Sequence, residues 1–112
     1  MISISEILEF ERAFSAFEVP LRQGFGPNED HYRTAQEALR RLRDKVRATP
    51  SIPKRLAFGL VDIYPILMGI AAAYRDTDRE KIEAWAIDLL ETTHEVLEFE
   101  ETNNPLRGGE NA

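Results

Sequence analysis

Few residues in this chain could do chemistry, and the first to consider are Glu91 and His94. Their Glu-x-x-His spacing sets a carboxylate and an imidazole on one face of a helix. Helical bundles use two copies of that unit, with two further inward glutamates, to hold a pair of metal ions. The only other histidine, His31, has Asn28 where the second glutamate would stand. Half of the ligand set is therefore missing, and neither a metal nor a cofactor is expected. Asp62 is the second oddity, because it is the one acid in the run LAFGLVDIYPILMGIAAAY, residues 56–74. An acid in apolar surroundings needs a partner or a route to water. Three roles fit: a backbone cap near Pro65, a pair with an arginine of the second helix, or a general base in a pocket with Tyr64 and His94. A catalytic constellation also needs a serine or threonine beside a histidine, and two histidines leave little choice. The expectation is a protein that is not an enzyme.

Two other patterns invite functional readings that the composition argues against. The stretch RRLRDKVRATPSIPKR, residues 40–55, could touch phosphates, but the whole chain carries a net charge of −6. Nucleic-acid binding goes with a basic domain, so a nucleic-acid partner is not expected. Gly24 and Gly26 lack both a preceding strand and a following Lys-Ser/Thr pair, so they read as a turn rather than a phosphate loop. Tyr32, Tyr64, Met68, Tyr74 and Trp85 could line a small-molecule pocket, although aromatics at helical spacing usually form core.

Charge is distributed unevenly along the 112 residues. Residues 33–55 hold eight bases and two acids, whereas 76–101 hold ten acids and two bases. The simplest account places the basic segment against acidic neighbours. Cysteine is absent, which removes disulfides and thiolate sites. The N-terminal MISISEILEFE carries three glutamates and no basic residue, unlike a signal peptide. Residues 56–74 approach the length of a membrane span, but a charge near the centre costs about 2.5–3.5 kcal/mol and Pro65 weakens the helix. The expected compartment is the cytoplasm, with no membrane contact.

These residues must be positioned by helices, because apolar groups recur at helical spacing throughout. Ser3 and Glu6 match a capping box, opening a first helix that should stop before Pro20. The segment VPLRQGFGP, residues 19–27, is expected to be a loop. A second helix should start at Pro27 or Asn28 and carry one narrow seam, Tyr32, Ala35, Leu39, Leu42 and Val46. Pro53 suits the first turn of a third helix, which Pro65 should bend or break. That helix is apolar all round and is expected to be the most buried. Thr77 followed by Glu80 predicts the start of the fourth, whose inner face is Ile82, Trp85, Ala86, Leu89, Val96 and Leu97, interrupted by Thr93. The fold class is thus all-α: a compact four-helix bundle, or five helices if the third breaks at Pro65. Residues 1–101 form one helical domain and 102–112 a frayed tail.

With no catalytic site legible, the expected function is a protein-interaction domain. An acidic inhibitor, immunity or antitoxin-like protein would capture a basic partner with Asp88, Glu91, Glu95, Glu98, Glu100 and Glu101. A second reading is a small-molecule- or metal-binding bundle built on Asp62, Glu91 and His94. A third is a homodimer formed by the seam of the second helix and surplus apolar surface.

Overall fold

The computed structural model describes residues 2–47 and 52–97. They form four helices, α1 (Ile4–Arg22), α2 (Glu29–Val46), α3 (Lys54–Ala71) and α4 (Asp76–Leu97), and an all-α four-helix bundle results. The ends expected for the fourth helix and the tail lie outside the described residues.

Helix α1 opens with the capping box: the Glu6 N–H donates to Ser3 Oγ (3.2 Å) and the Ser3 N–H to Glu6 Oε1 (2.9 Å). It does not stop before Pro20. The ring sits in the last turn, where its missing N–H removes a single bond, and the helix runs on to Arg22. Beyond it the Gln23 and Phe25 N–H groups reach the carbonyls of Val19 and Pro20, each at 3.1 Å. The chain then reverses through Gly24 and Gly26, both left-handed at φ 88° and 91°. Asn28 caps α2, its Oδ1 accepting from the His31 N–H at 2.9 Å.

Helix α3 starts after Pro53 and passes unbroken through Pro65, so the five-helix alternative is not realised. Pro65 lies on an exposed side, next to exposed Val61, whose carbonyl loses its donor; water can replace it there. The helix is closed by a neighbour. Arg79 Nε donates to the carbonyls of Tyr74 (2.9 Å) and Ala71 (3.3 Å), and Nη2 to that of Ala72 (3.1 Å). A cation on free C-terminal carbonyls is favourable both as a hydrogen-bond donor and against the helix dipole. Helix α4 begins at Asp76, which takes φ 52°, so Thr77 lies inside the first turn and not at the cap.

Contacts fix the order of the helices. α1 packs mainly on α2, α3 mainly on α4, and α2 on α4, while α1 and α3 meet only slightly. The pairs run in register: Glu9–Arg41 and Glu6–Lys45 join opposite ends of α1 and α2, whereas Glu29–Lys81 and Arg43–Glu95 join like ends of α2 and α4. The seam of α2 is buried as expected, with Ala35, Leu39, Leu42 and Val46 inside.

The expectation that α3 is the most buried element is corrected. Leu56, Leu60, Ile63, Leu67 and Ala71 face inward at spacings of four, three, four and four, but Phe58, Val61 and Ile66 are exposed. An all-apolar sequence marked two faces, of which only one is covered inside this chain.

Thr93 is the polar intruder in the core: it is 2 % exposed and its hydroxyl has no hydrogen-bond partner. A buried hydroxyl left unpaired is costly. Thr93→Val, nearly isosteric, should raise unfolding stability by about 1 kcal/mol, read as a higher midpoint in thermal or urea melts. A lower midpoint would mean that the hydroxyl is satisfied.

Candidate functional site

The acidic end expected on α4 is partly committed inside the chain. Glu95 pairs with Arg43 (3.4 Å) and Arg47 (3.2 Å) of α2. Asp88 faces α2 as well, taking hydrogen bonds from the Tyr32 hydroxyl and from Gln36 Nε2. Glu91 and His94 are exposed, while Glu98, Glu100 and Glu101 lie outside the described residues. The basic segment is equally committed: Arg41 and Lys45 pair with Glu9 and Glu6 of α1, and Arg43 and Arg47 pair with Glu95. α2 thus lies between acidic neighbours on both flanks, as its charge pattern suggested.

Asp62 departs from all three of its expected roles. It is exposed on α3, so its carboxylate meets water and no desolvation has to be offset. It pairs with no arginine of α2, and among the described residues no three His, Asp or Glu groups converge as metal ligands. Asp62, Glu91 and His94 form no such cluster.

Tyr32 and Trp85 fill the contact between α2 and α4. Their rings stack at 4.5 Å with 7° between planes, and Phe17 of α1 packs on both at 5.6 Å. At the edge of this stack the Asp88 carboxylate is the shared acceptor for Tyr32 and Gln36, and Gln36 also donates to the Tyr32 oxygen (3.2 Å). Burial, and then the adjacent Asp88 charge, push ionisation of Tyr32 well above the usual tyrosine range. Of the residues weighed as a pocket lining, Tyr32 and Trp85 form a helix–helix contact. Tyr74 is likewise committed, its hydroxyl donating to the Leu21 carbonyl (2.7 Å) and accepting from the Gly26 N–H (3.0 Å).

Beside exposed charges such as Asp62 and Glu91, the described surface also holds apolar side chains. On the outer side of α3, Phe58 is 69 %, Val61 53 % and Ile66 36 % exposed, and Phe25 stands out at the α1–α2 turn. Because α1 and α3 meet so little, an open groove of about 720 Å³ lies between them, with Leu21, Pro65, Ile66 and Gly69 in its walls and Arg22 and Arg75 beside them. Gly59 and Gly69 have nothing within 4 Å of where a side chain would project. Large exposed apolar patches are uncommon on small domains. Sequence reading missed this one because Phe58 and Val61 were counted as core. The signal was present: Asp62, Pro65 and Gly69 share the turns opposite Leu60, Ile63 and Leu67, so the side holding the charge and the helix breakers was the outer one.

Comparisons of the chain with protein-family models, with curated proteins and with solved structures found no match.

The Tyr32–Asp88 bond has a direct readout. With its folded pKa raised above the ordinary value of 10.0, Tyr32 contributes stability that is fully present below pH 10 and declines as pH rises through the folded value. Asp88→Asn should bring phenolate absorbance of Tyr32 to lower pH and reduce stability at neutral pH by about 1–2 kcal/mol. An unchanged alkaline titration would show that the carboxylate does not control this hydroxyl.

Proposed function

We propose that the chain is a non-enzymatic protein-interaction domain, acting in the cytoplasm, which docks another polypeptide along the outer face of α3. The observation that carries this reading is the contrast between surfaces. Most charged groups of α2 and two of the acids of α4 already have partners within the chain, whereas the apolar side chains of Phe58, Val61 and Ile66 have water. Burying such side chains stabilises a complex by about 25 cal/mol per Å² of apolar area, before the costs of association are subtracted. No described helix is long and apolar enough to cross a membrane.

Capture of a basic partner by an acidic inhibitor or immunity-like protein belongs to the same class. Glu91 is exposed and open to it, while Asp88 and Glu95 would first have to leave Tyr32 and the α2 arginines. The apolar face needs no such exchange, and for that reason we place the docking surface on α3.

A photoreactive amino acid at position 58, in cells producing this chain, tests the proposal. A discrete protein adduct should form there and not from exposed Glu37 of α2. No adduct from position 58, or equal labelling at both positions, would overturn the assignment of the face.

A further inference from the structure

Resting on the reading of α3 as a docking surface, we infer that its occupant is a second copy of this chain, packed antiparallel so that Asp62 of each copy meets Arg75 of the other. The exposed side chains make a seam at Phe58, Val61, Pro65, Gly69 and Ala72, spaced three, four, four and three residues apart, which is the spacing at which one helix lies along another.

The seam is lopsided. Its N-terminal half carries Phe58 and Val61, and its C-terminal half Gly69, Ala72 and Ala73. A parallel pair would set Phe58 against Phe58 and leave the glycine ends facing one another across a void. It would also juxtapose two Asp62 carboxylates. A two-fold axis near Ile66 does the opposite, laying the bulky half of each copy on the small half of the other. Such an isologous contact is closed and uses one surface twice. The empty space beside Gly69 lets the backbones approach there.

Charge selects the same orientation. Asp62 is the one charged residue between Arg55 and Arg75, and Arg55 is already paired with Glu11 of α1 (3.0 Å). Asp62 and Arg75 are both exposed and neither has an ion-pair partner among the described residues. With the axis near Ile66, Asp62 lies opposite position 70 of the other copy. Arg75 is then five residues further along the chain, in the turn that follows the end of α3 at Ala71, where its long side chain can extend back toward that carboxylate. Two such pairs, related by the axis, would flank the apolar seam. Opposite charges so placed fix register and exclude the parallel alternative.

Light scattering on the full chain across micromolar concentrations should give twice the 12.8 kDa chain mass. Val61→Glu should return it to a single chain that keeps its helical circular dichroism and melts lower only by the loss of the dimer, since position 61 is exposed in the isolated chain. Asp62→Arg and Arg75→Asp should each weaken the dimer about tenfold, and together restore it, because the double exchange rebuilds the pair with its signs reversed. A monomer at every concentration overturns the inference. So does a dimer that Val61→Glu does not dissociate, or one in which the double exchange gives no rescue. The adduct from position 58 separates this failure from that of the docking face. An adduct of doubled chain mass accords with self-association, one of any other mass overturns the second copy while leaving the face as a docking surface, and none at all removes the face itself.

Discussion

The contact of Tyr32 with Trp85 is the constraint on which the arrangement depends. α1 and α2 form one hairpin and α3 and α4 another, and little joins the hairpins except the α2–α4 seam. At that seam two large rings lie face to face, with Phe17 against both and Asp88 holding the Tyr32 hydroxyl. Aromatic pairs bury large areas and prefer a defined offset, so they fix a register as well as supply attraction. Once α2 and α4 occupy the middle, α1 and α3 are flanking helices, α1 packed mainly on α2 and α3 mainly on α4. The exposed outer face of α3 follows from this topology and not from any weakness in the packing of Leu60, Ile63 and Leu67.

At the far ends of α1 and α3 the structure adds a second, smaller tie. Tyr74 links the end of α3 to the Leu21 carbonyl and the Gly26 N–H, while Arg79 closes the α3 terminus from α4. These bonds hold α1 and α3 together at one end, and the Glu11–Arg55 pair lies nearer the other. The open groove lies at the Tyr74 end, with Leu21, Arg22 and Gly24 on one side and residues of the C-terminal half of α3 on the other.

The elements were legible where the signal was local. The Ser3–Glu6 box, the Asn28 start and the α2 seam each depend on groups within one or two turns, and local chemistry decides them. The failures have a common cause, which is that they turn on what lies across from a residue. Pro20 and Pro65 are read as breakers from the bond they delete, yet that loss is small in a last turn or where water reaches the orphaned carbonyl. Thr77 with Glu80 has the right spacing for a cap, but the left-handed Asp76 starts α4 one residue earlier. Asp62 looked like a buried acid because its neighbours in sequence are apolar. On a helix those neighbours point elsewhere, and it is the residues three and four away, Phe58, Pro65 and Ile66, that share its surface. The candidate acids of α4 were visible as charges, while their partners on α2 could be named only as a helix.

The pairing of charges also decides where specificity can reside. Ion pairs between exposed groups contribute only about 0–1 kcal/mol each, so the α1–α2 and α2–α4 pairs do little to stabilise the bundle. What they do is neutralise the basic helix against its acidic neighbours and oppose a slip in register. A surface so neutralised offers an incoming molecule little long-range attraction. The outer face of α3 has the opposite character, with one acid amid apolar side chains and glycines. On the proposed reading, recognition there would come from shape, from a bulky side chain finding the gap at Gly69, and from the lone Asp62 finding a cation. A surface of that kind would discriminate at short range, so that a wrong partner would be rejected after contact and not during approach.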